Sequence, residues 1–441
     1  MKVLYVVHQY FPECYSGTEQ YCLATSRQAR RLGLDVTILS LWPDLGRDDP
    51  PLVVQDRPYD GCSVLRLRHW WGIEPNDHLR DYAHPLVAAR FREVLRSLRP
   101  DVVHFFHLRN LGSDLIQVAA DAGARTVVHL MDFWFLCPRF TLLRSDGALC
   151  DGPPDGGLGC ARCHAPDLGG FTRDPELAPL ARDFARFVPV PGTAWSDANR
   201  FSALIRRKDV QLARLARADA VIAPSRFLRD MFVRNGFDAS RVHVIGYGLE
   251  SGRVERRAVT RPRNPLRLTF AGVMSPWKGP QVAVRAVRRT QARVRLRVHG
   301  NLDEKHFAEH IAELRRLAGD DPRIEFAGAF GADRISDVLA DTDVLLVPST
   351  WYENTPFVML EAFAAGVPVA CSALGGMAEL VEPGRNGFLF PAGDDAALAR
   401  LIELWACEPA ELAALDPQPT GDVAAAFERF VALYRAPVNA P

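Results

Sequence analysis

Two glutamates eight positions apart, Glu353 and Glu361, enclose the sequence Asn-Thr-Pro-Phe-Val-Met-Leu. Thr355 is predicted to cap a helix that begins at Pro356, because proline is favoured at the first helical position. The start of such a helix presents unpaired N–H groups and the positive end of the helix dipole, which suit a phosphate. Carboxylates beside a phosphate would repel it, so we expect these two to accept hydrogen bonds from sugar hydroxyls flanking a diphosphate. The spacing alone also fits two glutamates that bind nothing.

Four cysteines form a second cluster with the spacing C-x12-C-x9-C-x2-C, and His164 follows directly. They are Cys137, Cys150, Cys160 and Cys163. A C-x2-C pair with two further cysteines in a Gly- and Pro-rich segment predicts a closed, tetrahedral structural zinc site. Such a segment is expected to lack a core of its own, so that metal binding would supply its folding free energy. Free thiols and a redox-labile disulfide are the alternatives.

The elements that must position these groups alternate regularly along the chain. An apolar run at 3–7 predicts a buried strand, followed by a loop, a helix at 18–32 that stops at Gly33, and a strand at 35–41. The same alternation resumes near residue 266. We therefore predict an α/β protein with two Rossmann-like, doubly wound domains that face a central cleft.

The predicted organisation has four segments and one insertion. They are the N-terminal domain 1–250 with a cysteine-rich insertion at about 137–205, the linker 251–265, the C-terminal domain 266–408, and a tail with a crossover helix at 409–441. The linker is assigned because five arginines and two prolines occur there with few apolar residues.

The stretch Pro348–Val369 resembles the Glu-x7-Glu signature of retaining nucleotide-sugar glycosyltransferases of the GT-B fold, family 4. Further similar stretches are Tyr5–Glu13, Ser16–Glu19, Ala223–Leu228, Phe270–Gly279, Gly375–Val381 and Gly387–Phe390. The resemblance covers nearly the whole chain apart from the insertion and the tail. It implies that the N-terminal domain serves the acceptor and the C-terminal domain the nucleotide sugar.

The resemblance also implies roles for individual residues. Glu361 would bind the donor ribose, Glu353 the hydroxyls of the transferred sugar, and Lys278 the diphosphate. Other expected donor-binding residues are Gly17, Asn354, Thr355, Gly375 and Gly376. A fixed ammonium would stabilise the charge that develops on a leaving diphosphate. Only four lysines stand beside 49 arginines, which makes a lysine at this position informative.

Two positions depart from the family's pattern. Val273 stands where the family often has an arginine, and Met131 stands where it often has a histidine. We expect Asp132, His129 and His107 on the acceptor or sugar side, since they lie at or near predicted strand ends. Ordinary structural histidines are the alternative for the last two.

Composition excludes several classes of protein. The 441 residues carry 53 basic and 53 acidic side chains, so we expect no nucleic-acid partner. No run of 18 apolar residues occurs, and the first seven residues predict a buried strand rather than a signal peptide. We expect a cytoplasmic protein, with peripheral association at the inner face of the membrane left open.

The combined prediction is a retaining glycosyltransferase that moves a sugar from a nucleoside-diphosphate sugar to an acceptor hydroxyl, in polysaccharide or glycoconjugate synthesis. The acceptor is left open among a glycan, a lipid-linked glycan and a small molecule. No catalytic cofactor is expected, and zinc would be structural. The alternatives are a GT-B sugar-nucleotide epimerase or phosphorylase, and a catalytically inactive GT-B scaffold that binds a glycan or protein. A nicotinamide dehydrogenase is excluded because no G-x-G-x-x-G follows the first strand.

Overall fold

The computed structural model describes residues 1–14, 16–43, 53–69, 78–187, 196–256 and 263–436. Contacts divide the chain into two compact units. Unit 1 consists of Met1–Ile245 and Ala426–Pro441, and unit 2 of Gly246–Ala425. Residues 257–262 of the predicted linker lie outside the described residues.

Unit 1 is built on an eight-stranded sheet. Its strands are β1 (Lys2–Val7), β2 (Asp35–Pro43), β3 (Val53–Asp56), β4 (Ser63–His69), β5 (Val102–Phe105), β6 (Arg125–His129), β7 (Ala220–Ala223) and β8 (Val242–Val244). Their order is β3-β4-β2-β1-β5-β6-β7-β8, and all neighbours are parallel except β3 and β4. The central strands are almost entirely buried, as parallel strands between two layers of helices are.

Among the described residues, seven helices that lie wholly in unit 1 connect or cover these strands. They are α1 (Gly17–Arg31), α2 (Pro85–Leu98), α3 (Asp114–Asp121), α4 (Leu158–His164), α5 (Leu177–Phe187), α6 (Asp197–Leu215) and α7 (Arg226–Arg234). The predicted stop of the first helix is confirmed. Gly33 follows α1 with φ at +74°, a conformation that costs glycine little.

The predicted insertion contains α4, α5 and the beginning of α6. The expectation that it lacks a core is wrong. Leu158 and Leu168 pack in one buried cluster with Phe201 and Leu204. The apolar residues are diluted by glycine and proline along the sequence, but the helices bring them together.

Unit 2 is built on a six-stranded parallel sheet. Its strands are β9 (Leu266–Ala271), β10 (Val294–His299), β11 (Ile324–Phe326), β12 (Val344–Val347), β13 (Val369–Ser372) and β14 (Gly387–Phe390), in the order β11-β10-β9-β12-β13-β14. Its helices are α8 (Pro280–Arg289), α9 (Ala308–Ala318), α10 (Ile335–Ala340), α11 (Phe357–Ala365), α12 (Asp395–Cys407) and α13 (Pro409–Ala413). Two large buried clusters, both containing residues of the sheet, form its core.

The last helix, α14 (Val423–Arg435), begins in unit 2 and continues in unit 1. In unit 1, Tyr434 Oη lies 2.6 Å from Nδ1 of His104 on β5, and Phe430 packs edge-on against the same imidazole. No helix among the described residues is long and apolar enough to cross a membrane.

Each sheet has one point at which the strand order reverses. In unit 1 the chain moves outward from β1 to β2 and β4, and then continues on the other side with β5. In unit 2 the same reversal lies between β9 and β12. Ligands of open α/β sheets bind beyond the carboxyl ends of the strands at such a reversal, so the loops after these four strands locate the candidate sites.

Candidate active site

In unit 2, the loops after β9 and β12 bring a lysine and a glutamate together. Lys278 follows β9, Glu353 follows β12, and Lys278 Nζ donates to Glu353 Oε1 at 2.6 Å. Ser349 Oγ and Trp351 Nε1 donate to the same oxygen at 3.0 and 2.7 Å. No described residue hydrogen-bonds to Oε2 of Glu353. One oxygen of this buried carboxylate is therefore saturated, and the other is available to a ligand hydroxyl.

The loop that carries Lys278 is held against the end of β12. Thr350 N donates to the carbonyl of Trp277 at 2.8 Å. Gly279 has φ at +78°, and a Cβ there would lie 1.9 Å from the carbonyl oxygen of Pro348. Only glycine allows this approach, so a close contact between two backbones fixes the main chain next to Lys278. The Lys278 ammonium also lies 5.5 Å from the centre of the Trp351 ring.

The predicted glycine pair lies against the backbone of Glu353. Gly376 N donates to the Glu353 carbonyl at 2.6 Å. Gly375 has φ at +65°, and a Cβ there would lie 2.6 Å from the same oxygen. The structure thus brings four predicted donor-binding or catalytic residues, Lys278, Glu353, Gly375 and Gly376, into one place.

The other predicted residues of this region lead into and lie on α11. Asn354 and Thr355 are buried. The helix begins at Phe357, one residue later than predicted, because Pro356 has an extended ψ of 123° and occupies the capping position itself. Glu361 lies on the second turn and is also buried.

Glu361 has a partner that the sequence analysis missed. Arg253 donates to Glu361 Oε1 through Nε at 2.9 Å, and its Nη2 lies 2.8 Å from the same oxygen. Burial raises the pKa of Glu361, and the guanidinium of Arg253 opposes that rise. Arg253 belongs to the arginine-rich stretch interpreted as a linker, so nothing in its local sequence marked it out.

In unit 1, the loops after β5 and β6 bring a histidine and an aspartate together. His107 follows β5, Asp132 follows β6, and His107 Nε2 lies 3.0 Å from Asp132 Oδ2. Arg109 N donates to His107 Nδ1 at 3.1 Å, so Nδ1 is an acceptor and the ring proton belongs on Nε2, towards Asp132. Trp134 N donates to the other carboxylate oxygen of Asp132 at 2.7 Å.

Two further polar residues complete this cluster, and the sequence analysis did not select them. The ring of His8, which follows β1, lies 4.3 Å from that of His107 between centroids. His8 Nδ1 lies 3.8 Å from Oε1 of Glu19, a fully buried residue of α1. Burial is the largest cause that lowers the pKa of His8 well below its usual value, so this imidazole is neutral. Both residues lie in the N-terminal stretches that carry the family resemblance.

Two remaining predicted residues of unit 1 lie in different surroundings. Gly17 is the first residue of α1. His129 is buried within the sheet and packs against Tyr21, His104 and Phe430. Burial lowers the pKa of His129 to about 3. The structure therefore places His129 as a neutral imidazole of the core.

Two family models match the chain. The model described as glycosyl transferase 4-like domain covers residues 16–248, more than half of the chain, and the model described as glycosyl transferases group 1 covers residues 265–406. The chain belongs to the glycosyltransferase 4-like family. The predicted family is confirmed.

Individual relatives agree with this assignment. A D-inositol 3-phosphate glycosyltransferase of Rhodococcus jostii is 28% identical over 264 residues, 56% of this chain and 58% of that protein. A Salmonella typhimurium glycosyltransferase named for colanic acid biosynthesis is 31% identical over 177 residues, 38% and 43% of the two chains. The chain thus spans little more than half the length of the first relative and less of the second.

A solved structure supports the fold of this glycosyltransferase-family chain. The crystal structure of Anabaena HepE in complex with UDP and glucose is 18% identical, covers 98% of both chains, and has a TM-score of 0.63. The predicted fold class, two Rossmann-like domains of the GT-B type, is confirmed.

The cysteine cluster of this family member is assembled in unit 1. Cys137, Cys150, Cys160 and Cys163 line one cavity together with His164, and all four are free thiols. Burial raises the pKa of Cys160, and the neighbouring thiols of Cys137 and Cys150 raise it further. Among the described residues, no group of three or more His, Cys, Asp or Glu side chains is arranged to hold a metal ion. The structure supports the clustering that the spacing predicts but not the zinc itself.

Backbone N–H groups contact two of these sulfurs. Ser145 N donates to Cys163 Sγ at 3.2 Å. Backbone hydrogen bonds from Arg139 and Leu142 lower the pKa of the Cys137 thiol, although burial outweighs them. Donors of this kind stabilise a thiolate, which is the form that binds metal.

Proposed function

We propose that this chain transfers a glycosyl group from a nucleoside-diphosphate sugar to an acceptor hydroxyl, with retention of the anomeric configuration. The observation that carries the proposal is the contact of 2.6 Å between Lys278 and Glu353 where the strand order of unit 2 reverses. An ammonium and a carboxylate held side by side can serve a diphosphate and the sugar hydroxyls next to it. Membership of the family supports the same reaction.

Three residues of unit 2 each bind a different part of the donor. Glu361 accepts hydrogen bonds from the ribose hydroxyls, and Glu353 from hydroxyls of the transferred sugar. Lys278 exchanges its contact with Glu353 for the diphosphate. This exchange frees Glu353 Oε1 for a sugar hydroxyl, so binding of the diphosphate and of the sugar support each other.

The backbone around Glu353 completes the donor site. Asn354 and Thr355 lead from Glu353 into α11, and the N–H groups of Gly375 and Gly376 lie beside the Glu353 backbone. Gly17 retains its predicted donor-side role in unit 1. These assignments follow the resemblance and are compatible with the placement of each residue.

The reaction needs no covalent enzyme intermediate. The bond between the anomeric carbon and the diphosphate oxygen breaks as the acceptor oxygen attacks from the same face, and the acceptor proton passes to the departing phosphate. Lys278 stabilises the charge that accumulates on the leaving group. The protein's contribution is to orient the reactants and to place that charge in advance.

The acceptor is bound by unit 1, through Asp132, His107, His8 and Glu19. A neutral imidazole and carboxylates such as the buried Glu19 and the partly exposed Asp132 recognise hydroxyl groups rather than an anion. The acceptor is accordingly polyhydroxylated: a glycan, a lipid-linked glycan or a small polyol. The Salmonella relative's name supports a role in polysaccharide or glycoconjugate synthesis. The proposed place of this reaction is the cytoplasm or the inner face of the membrane.

A second proposal concerns the cysteine cluster. Cys137, Cys150, Cys160 and Cys163 bind a structural Zn²⁺ as thiolates, after small rotations of side chains that already line one cavity. Ser145 N already donates to Cys163 Sγ, and backbone N–H groups of Leu142 and Arg139 oppose the rise that burial causes in the pKa of Cys137. Such a metal would tie α4 to the loop that follows Asp132.

The transfer reaction is tested with a panel of nucleoside-diphosphate sugars, by following nucleoside-diphosphate release. Wild-type protein is expected to release nucleoside diphosphate from at least one donor, and Glu353→Ala to lose this activity. An epimerase would instead convert the donor to a second sugar nucleotide, which chromatography detects. Binding of a glycan without any turnover would support the inactive scaffold and reject the proposal.

Zinc is tested by metal analysis of protein purified without chelator. About one Zn²⁺ per chain is expected, and its loss in Cys160→Ser/Cys163→Ser. Cys371→Ser is the matched control, because Cys371 is a buried thiol of β13 in unit 2. Metal-free protein in the wild type would reject the site.

A further inference from the structure

Arg253 contacts one oxygen of Glu361, the carboxylate expected to bind the ribose. Its Nε and Nη2 both meet Oε1 of Glu361, at 2.9 and 2.8 Å. No described residue hydrogen-bonds to Oε2 of Glu361. The guanidinium thus occupies one oxygen through two donors and leaves the other for a ligand.

Arg253 is held in this position by the residues on both sides of it. Leu249 forms backbone hydrogen bonds with Gly421 and Val423, and Arg253 N donates to the carbonyl of Glu250 at 3.1 Å. On the other side, Val254 packs against the buried cluster that contains Met359 and Phe363 of α11.

The two residues after Val254 are fixed as well. Glu255 N donates to Ser336 Oγ at 3.2 Å. Arg256 contacts the Pro417 carbonyl at 2.9 Å and the Asp416 carboxylate at 3.1 Å. The segment 249–256 is therefore attached to unit 2 along its length, and its arginines are not free in solvent.

The electrostatics explain why Glu361 needs a cation. Glu361 is 6% exposed, and burial disfavours its charged form. A protonated carboxyl would be a weaker acceptor for ribose hydroxyls than a carboxylate, since charge-assisted hydrogen bonds are the stronger ones. Arg253 is the charged partner that opposes the rise in the pKa of Glu361.

We propose that Arg253 is a positioning residue for donor recognition, which keeps Glu361 ionised and orients its Oε2 towards the ribose hydroxyls. This inference rests on the proposed function, because it assumes that Glu361 binds the ribose. It assigns to the segment after β8 a part in nucleotide binding that its arginine-rich composition did not indicate.

The experiment measures nucleoside-diphosphate affinity and donor KM against pH for wild type, Arg253→Met and Arg253→Lys. In Arg253→Met we expect affinity to fall about 10- to 100-fold near neutral pH, with kcat changed much less. The acidic limb of the kcat/KM profile should move to higher pH, because Glu361 then protonates more readily. Arg253→Lys should restore part of both effects.

A double variant separates positioning from a general structural role. If Arg253 acts through Glu361, Arg253→Met/Glu361→Gln should bind nucleoside diphosphate no more weakly than Glu361→Gln alone. Arg256→Met is the matched control, since Arg256 lies in the same segment and contacts Asp416 and Pro417 instead. It should leave the affinity and the pH profile unchanged.

The outcomes distinguish this inference from the function on which it rests. Unchanged affinity in Arg253→Met, an unshifted pH profile, or additive effects in the double variant would overturn the role of Arg253 while leaving the transfer reaction in place. Wild-type protein that binds nucleoside diphosphate but turns over no donor would reject the transfer reaction, and the affinity comparison would still decide the role of Arg253. Wild-type protein that binds no nucleotide would overturn both.

Discussion

The candidate sites of the two units lie in loops at the carboxyl ends of their sheets but differ in the chemistry of their side chains. In both, key polar residues follow the strands between which the strand order reverses: His8 and His107 follow β1 and β5 in unit 1, and Lys278 and Glu353 follow β9 and β12 in unit 2. In unit 2 each buried carboxylate has a cation, Lys278 for Glu353 and Arg253 for Glu361. In unit 1, His107 pairs with the Asp132 carboxylate and lies beside the neutral imidazole of His8, whose pKa is lowered by burial first and also by His107 and the Arg109 guanidinium. The fold therefore determines where a ligand binds, and the side chains determine which ligand.

The difference follows from what each ligand carries. A diphosphate needs positive charge, which Lys278 can supply, while Arg253 is the cation paired with the buried carboxylate of Glu361. A polyhydroxylated acceptor carries no charge to neutralise, so unit 1 can use neutral His8 and the Asp132–His107 pair. Apart from Gly17, which keeps its donor-side role, we expect changes in unit 2 to affect the donor and changes in unit 1 to affect the acceptor.

The largest effect is expected when the ammonium of unit 2 is removed. Lys278→Met keeps most of the side-chain volume but leaves the leaving group without its charge, so nucleoside-diphosphate release should slow about 100- to 1000-fold. Lys305→Met, at an exposed lysine of the same unit, serves as the control and should retain full activity. If Lys278→Met turned over the donor at the wild-type rate, the leaving group would not need this ammonium, and the proposed chemical difference between the two units would be wrong.

The next effect tests the close backbone contact at Glu353. Gly375→Ala should lower kcat/KM for the donor about 10- to 100-fold, because the new Cβ would meet the Glu353 carbonyl oxygen at 2.6 Å. Gly384→Ala is the matched control: Gly384 also has a positive φ, +80°, but nothing lies within 4 Å of its added Cβ. Equal losses in both variants would mean that backbone strain alone, and not the contact with Glu353, is responsible.

The sequence predicted the main residues of the unit 2 site but not the contacts that support them. Glu353 and Lys278 lie in stretches with a recognisable motif, and each directly follows a predictable strand. Arg253 contacts a residue 108 positions away, and that contact depends on the path of the segment after β8 over α11. Tertiary pairing, such as that of Leu249 with Gly421 and Val423, sets this path, and composition does not reveal it.

In unit 1, too, the sequence predicted a feature that depends on local spacing and did not predict those that depend on tertiary contacts. The spacing of the four cysteines predicted a cluster, and the structure brings them to one cavity. His8 was missed because nothing near it in sequence suggests its contact with His107, and Glu19 because nothing suggests its contact with His8. The core of the insertion was missed because Leu158 and Phe201 are more than 40 positions apart and meet only when α4 and α6 pack together.

A smaller effect is expected from the carboxylate of unit 1. Asp132→Asn removes the charge that faces His107 Nε2, so transfer to the acceptor should fall about 10-fold. Nucleoside-diphosphate affinity, measured by calorimetry, should stay the same. Asp146→Asn, at an exposed turn, is the control. Weakened nucleotide affinity in Asp132→Asn would show that this pair serves the donor and would contradict the assignment of unit 1 to the acceptor.

The smallest expected effect is on thermal stability. It tests whether Glu19 of unit 1 is a buried carboxylate that no cation stabilises. Burial raises the pKa of Glu19, although hydrogen bonds from Ser16 and Gln9 oppose the rise. A carboxyl group whose folded pKa is raised contributes most to stability in acid, and this contribution is lost as the pH rises through the folded pKa.

Glu19→Gln should therefore melt about 2–4 °C higher than wild type at pH 8, which corresponds to about 1 kcal/mol in a unit of this size. The difference should disappear below about pH 4, where the carboxyl is protonated in both the folded and the unfolded chain. Glu428→Gln, at an exposed position of α14, should show no such pH dependence. A lower melting temperature for Glu19→Gln at pH 8 would mean that the ionised carboxylate stabilises unit 1, and that its cluster is closer in character to the ion-paired site of unit 2.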